Sequence, residues 1–361
     1  MKTKITTLSL LLTLGAFAQK TDKTNIKYEF EMYPSETISK DKTVDINVSF
    51  DYVAKVDAAN AELAAKQEKA KQDKEEYDKK GMGKKLFESK VLGESKPTGT
   101  YNGAEFIPTV YPNTDLEAMI NIPGFTKTDG AKCVVNASFS EFKYTFNAAQ
   151  TAITYYPLRV ELSITNDKGV SVYQGDLPNN SAAVTYSAKG NDFGSNYITT
   201  MKSLELNAKN AAIGNLNKYL KTTYGFNVVK DESPFFDIKD KKFEYADYHQ
   251  AILKLETAFI SVNIPERQEK FNSILKECIT IWETNLKQLD KADKNAKISA
   301  DVAAATTINL ALAYTWLRDF DKAYDYLAEH KALDKDYSNA YADASKFLKD
   351  YNTRYNKYAK Y

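Results

Sequence analysis

The sequence predicts an α+β, multidomain fold. Its N-terminal part reads as duplicated, sandwich-like β modules with one long helix inserted, and its C-terminal part as an α-helical array. Three observations predict this. The stretch TVDINVSFDY (43–52) alternates apolar and polar residues, the period of a half-buried strand. A related pattern returns 89 residues further on. Beyond residue 234 the apolar residues recur at intervals of three and four instead, the period of a helix.

The chain begins MKTKITTLSLLLTLGAFAQK, with Lys2 and Lys4 ahead of an apolar run from Leu8 to Leu14 and the small-residue pattern Ala16-Phe17-Ala18. This order predicts an export signal over 1–18, cleaved after Ala18. The run is far shorter than the roughly 20 residues of a membrane span, and no cysteine follows it to carry an acyl anchor. The expected product is an exported protein, periplasmic or associated with the outer membrane or extracellular, with no membrane insertion of the mature chain. The 361 residues carry 49 Lys plus Arg against 48 Asp plus Glu. That balance gives no reason to expect a nucleic-acid partner.

Residues 19–230 form the expected β-rich region, with modules at about 25–53 and 114–190. Tyr28, Phe30 and Met32 alternate as a first strand, a turn follows at Pro34, and Val44, Ile46, Val48, Phe50 and Tyr52 line the second. Pro34, Thr37, Asn47, Ser49 and Phe50 match Pro123, Thr126, Asn136, Ser138 and Phe139, so a degenerate duplication is the reading. Two strands that merely share β-prone residues are the alternative. In the second module Val160, Leu162 and Ile164 run into Asn166–Gly169, and Val170, Val172 and Tyr173 run out, predicting a hairpin.

Between the modules, residues 54–90 are rich in Ala, Lys, Glu and Gln and predict a long helical insertion. Its apolar seam of Val56, Leu63, Ala70 and Tyr77 is thin, because Asn60, Gln67 and Lys74 take the intervening positions, which suggests a solvated helical arm. Residues 199–222 predict a helix that closes the β-rich region. KDESP at 230–234 reads as a linker into a helical domain over 234–361.

Within that domain, Leu310, Ala311 and Tyr314 sit on one expected helix, Asp319 and Phe320 at a turn, and Ala323 and Leu327 on the next, with Asp334 closing the segment. The stretch 309–334 resembles a tetratricopeptide repeat, whose antiparallel helix pairs stack through small and bulky residues at set positions. It departs from that pattern at Thr307, Ala311, His330 and Lys335. Of these His330 matters most, since it should widen the packing. Tyr248, Ala251, Leu255 and Ala258 give a second, partial match. The resemblance implies protein–protein interaction through the helical domain. On the last helix Tyr351, Tyr355 and Tyr358 form a stripe, read as a capping face and alternatively as a partner contact.

Signals for chemistry are weak. Cys133 and Cys278 each fall on an apolar face and read as buried hydrophobes, with a domain-clamping disulfide as the alternative. His249 and His330 lack a second ligand at metal spacing. GMGKKL (81–86) has Asp78 and Lys85 where a phosphate loop needs Gly and Ser or Thr. DKDYSNAYADAS (334–345) has Ser345 where a calcium loop needs Glu. No catalytic residue, metal or cofactor is therefore expected. The sequence points to a non-enzymatic adaptor or scaffold whose partners are envelope proteins, an outer-membrane complex among them. Carbohydrate binding by the β modules is the second reading, and a hydrolase recruiting His249 or His330 the third.

Overall fold

The computed structural model describes residues 20–361 apart from 91, 93, 94, 102, 104, 179–181 and 334. The expected export signal and the repeat-closing Asp334 lie outside the described residues. In chain order the elements are β1 (Thr21–Met32), β2 (Thr43–Phe50), α1 (Val53–Lys79), α2 (Met82–Lys90), α3 (Asn113–Met119), β3 (Thr126–Lys127), β4 (Val134–Phe139), β5 (Tyr144–Phe146), β6 (Ala152–Tyr155), β7 (Val160–Thr165), β8 (Ser171–Asp176), β9 (Val184–Ser187), α4 (Tyr197–Tyr224), β10 (Asn227–Ile238), α5 (Ala246–Phe259), α6 (Gln268–Leu286), α7 (Ala300–Leu317), α8 (Phe320–Ala332) and α9 (Ser338–Lys360). They make an α+β chain of two compact units. One is Glu36–Gly225; the other joins the residues up to Ser35 with Phe226–Tyr361.

The unit of residues 36–225 is built on a five-stranded mixed sheet in the order β3-β2-β4-β7-β8, beside a three-stranded sheet β5-β6-β9. Alternation gives the larger sheet one apolar face. Ile46, Val48 and Phe50 stand beside Val135, Ala137 and Phe139, which stand beside Ile164, Leu162 and Val160. Leu116 of α3 and Met201, Leu204, Ala208, Ala212, Leu216 and Leu220 of α4 complete that core. The hairpin over β7 and β8 is present, with Gly169 at positive φ (77°) and Asn166 accepting from the backbone N–H of Lys168 and Val170 at 3.0 and 2.9 Å.

The matching stretches of the two expected modules are neighbouring strands of one sheet. β2 and β4 are parallel neighbours, and the 89-residue offset is their register: Asn47 beside Asn136, Ser49 beside Ser138, Phe50 beside Phe139. They share one core, so neither is a module by itself.

The long insertion is α1 with α2. Of α1 only Val56 is buried, so most of its 27 residues, about 40 Å at 1.5 Å per residue, extend beyond the sheet core. The chain returns along its polar seam. The Gln67 amide accepts from Tyr101 N–H and donates to Tyr101 C=O, both at 3.0 Å, and Lys66 pairs with Glu105 at 2.7 Å. Of the residues that thin the apolar seam, Gln67 holds the return segment, and the stem of Lys74 lies against it at Gly99. Gly99 packs against the Lys74 side chain with φ +77°, where a β-carbon would collide.

In the other unit, β1 pairs antiparallel with β10 over their whole lengths, from Thr21↔Ile238 to Met32↔Asn227. Two expectations change here. β1 and β2, read together as the module at about 25–53, belong to different units, and residues 230–234 are the middle of a strand rather than a linker, so the helical unit begins with β1 and not at 234. Pro234 is tolerated because it shares parity with Phe236, whose backbone groups point away from β1, so the missing N–H costs the ladder nothing. Ile26, Tyr28, Phe30 and Phe235 from one face of the ribbon, and Phe236 and Ile238 from the other, all belong to the core made with α5 to α9. α7 is central: every residue from Val302 to Trp316 is buried, as expected of a helix apolar all round.

Candidate functional site

The residues of the repeat-like stretch lie on the α7–α8 pair. Leu310, Ala311, Tyr314, Ala323 and Leu327 are buried, and Phe320 is half-buried. Tyr314 and Tyr326 stack with ring centroids 5.7 Å apart and both donate to Glu283 of α6, at 2.6 and 2.9 Å. His330 is buried within the pair. Its Nδ1 donates to the Ala304 carbonyl at 2.9 Å, its ring stacks on Tyr341, and burial pushes its pKa down.

The tyrosine stripe of α9 is engaged within its own unit. Tyr33 packs against Tyr351, Tyr355 and Tyr358 with centroids 5.9, 5.5 and 4.9 Å away, and the Arg318 guanidinium lies over Tyr33 and Tyr355. Tyr351 is buried, and Tyr355 and Tyr358 are half-buried.

The β1–β10 ribbon lies on the face of the helical array. The Asn309 amide of α7 accepts from Phe236 N–H and donates to Phe236 C=O, both at 2.8 Å, and so completes the outer edge of β10 as a neighbouring strand would. At Tyr28 and Asp231, directly paired in the ribbon, two clefts open. The larger, about 710 Å³, has Tyr28, Phe259 and Ile260 as its apolar part and Lys27, Glu29, Lys230, Asp231 and Glu232 as a rim of both signs. Ile260, at the end of α5, is 82% exposed beside it. The smaller, about 370 Å³, runs between the ribbon and α9, with Ser233, Asp343, Lys346 and Asp350 among its lining. Tyr28 spans both; its hydroxyl hydrogen-bonds Ser233 at 2.9 Å, and burial pushes it up to about 12. The sequence reading missed Phe259, Ile260 and the ribbon residues. The available signal was Ile260 itself, a large apolar residue just past the last buried position of a helix.

His249 lies between two carboxylates, Nδ1 2.7 Å from Asp237 and Nε2 3.2 Å from Asp240. The Asp237 bond, with Asp240 adding to it, raises its pKa. Asp240 also accepts from Tyr245 N–H at 2.7 Å, so the cluster ties the end of β10 to the start of α5. Cys133 and Cys278 are free thiols, each buried in the core of its own unit and pushed up to about 12 by burial.

The unit of residues 36–225 has its own groove of about 350 Å³ between the β6–β9 sheet and α4. Thr199, Thr200, Ser203 and Asn207 present hydroxyls and amides along one side of α4, with Tyr155 and Tyr186 across from them. Tyr186 donates to Asp192 at 2.6 Å, which fixes its ring. No described helix is long and apolar enough to cross a membrane. Family models, curated proteins and solved structures give no match to this chain.

Proposed function

We propose that the protein is an exported, non-enzymatic adaptor of the bacterial envelope whose helical unit, a tetratricopeptide-like array, holds a segment of a partner protein. The reading rests on the cleft at Tyr28, Phe259 and Ile260. An apolar floor bounded by lysines and carboxylates suits a peptide that buries one or two apolar side chains and pairs its polar groups at the rim. The concave face that a helical array would ordinarily offer is taken by the β1–β10 ribbon, so the binding surface in this reading is the edge of the ribbon rather than the bare helices.

The test places a photo-crosslinking residue at Ile260 in the exported protein, with a second version carrying it at Thr199, and irradiates native envelopes. A discrete protein adduct from position 260, weakened about tenfold by Lys27→Glu with Lys230→Glu, is the expected result. No protein adduct at 260 overturns the reading.

A second reading has an observation of its own. The groove along α4 joins two tyrosine rings to a row of small hydroxyl and amide side chains, the mixture that stacks on and hydrogen-bonds a sugar. Glycan adducts at Thr199 with none at Ile260 favour this reading over the first.

A further inference from the structure

α1 ends at Lys79, but the chain re-enters a helix at Met82 and side chains of α2 reach back to the last turn of α1. The side of α2 that meets α1 is polar. Glu88 is buried and accepts from Lys80 Nζ at 2.7 and 2.9 Å. Lys85 Nζ donates to the Asp78 carbonyl at 3.0 Å and lies over the Tyr77 ring. With its polar side turned inward, α2 sends its apolar side outward: Met82 is 80% exposed, Leu86 50%, Phe87 55%, and Leu92 just beyond it 57%. A helix packed in a water-soluble unit ordinarily does the reverse.

Charge is concentrated at the same place. Residues 79–96 hold six lysines against two glutamates, of which Glu88 is the one bound to Lys80, whereas residues 53–78 hold five lysines against seven acidic residues. Lys79, Lys84, Lys90 and Lys96 are exposed around the apolar side chains. We propose that this end of the arm docks on an anionic phospholipid surface, with Met82, Leu86, Phe87 and Leu92 entering the boundary between headgroups and acyl chains and the lysines ringing them at the phosphates, without spanning the bilayer.

The composition favours lipid over protein. Met and Phe also suit the centre of a protein contact, but lysine is depleted there and leucine is under-represented among the residues that dominate binding, while Leu and Phe framed by lysines is the composition of interfacial helices. The hydrated ammonium of lysine serves as a point charge for a layer of phosphates and lacks the planar fork that fits a single carboxylate.

The experiment sediments the protein, expressed from Gln19 so that the apolar run at 8–14 plays no part, with vesicles of phosphatidylcholine alone and of phosphatidylcholine mixed with phosphatidylglycerol. Binding to the mixed vesicles is expected, weakened by salt, and reduced about tenfold or more in Leu86→Asp with Phe87→Asp. Lys84→Glu with Lys90→Glu should abolish the preference for the anionic lipid. All four side chains are exposed, so the variants keep the wild-type circular dichroism. Failure of the wild type to sediment with anionic vesicles, or equal binding by the Asp variant, overturns the proposal. A protein adduct from a crosslinker at Phe87 without vesicle binding reassigns the tip to an acidic protein and overturns it equally.

Discussion

Gln67 and Asn309 solve the same problem in different units. Each presents a side-chain amide whose oxygen accepts from a backbone N–H and whose nitrogen donates to the carbonyl of the same residue, Tyr101 for Gln67 and Phe236 for Asn309. An amide can do this because it carries a donor and an acceptor at the spacing of a peptide group. His249 uses charge for a related purpose, holding Asp237 and Asp240 on its two ring nitrogens. Its native pKa is raised, so the bound proton stabilises the fold in full below the unfolded value of about 6.5 and ceases to do so as pH climbs through the raised value. Urea unfolding of the wild type and of His249→Gln between pH 5.5 and 9 should therefore show their stability difference largest at the acidic end and shrinking with rising pH. A difference that grows with pH contradicts the ion-pair geometry.

Between elements, the decisive contact is β10 on α7. Asn309→Ala leaves the N–H and C=O of Phe236 buried without partners, at about 1–3 kcal/mol for each, and so should lower unfolding stability by roughly 2–6 kcal/mol. Asn309→Asp should not rescue it, because the carboxylate would face the Phe236 carbonyl. The helices were legible because their apolar residues repeat at three and four over long stretches, as in the Phe271, Leu275, Cys278 and Trp282 face of α6. The β2 alternation and the β7–β8 hairpin were legible for the matching reason. The ribbon was not. Its two strands are far apart in sequence, Pro234 reads as a breaker unless the edge it lies on is known, and β1 followed by β2 looks like a meander. The cleft was hidden with it, since Tyr28 and Asp231 become neighbours only through that pairing. The outward apolar face of α2 was missed because residues 54–90 read as one helical insertion with a thin apolar seam, whereas α1 stops at Lys79 and α2 starts anew at Met82.

At the scale of the molecule, one unit is inserted into the other. The ends of Glu36–Gly225 are stitched together by Glu36 N–H donating to the Thr223 carbonyl at 2.9 Å, and Met32 is paired with Asn227 across the ribbon. Deleting residues 36–225 and joining Ser35 to Phe226 would leave Tyr33, Pro34, Ser35 and Phe226 as a four-residue connection, a length that hairpins commonly use. That shortened chain should be helical by circular dichroism and unfold cooperatively on heating, whereas a fragment starting at Asp231, which cuts β10 and lacks β1, should not. The same pairing sets a clock on biosynthesis. β1 leaves the ribosome first and β10 follows only after the whole inserted unit, on the order of ten seconds or more at about 5–20 residues per second. Throughout that wait Ile26, Tyr28 and Phe30 line a strand with nothing to pair with, the form of chain most prone to pair with a stranger. The first strand thus waits, open to mispairing, for a partner strand and for helices made only after the whole inserted unit.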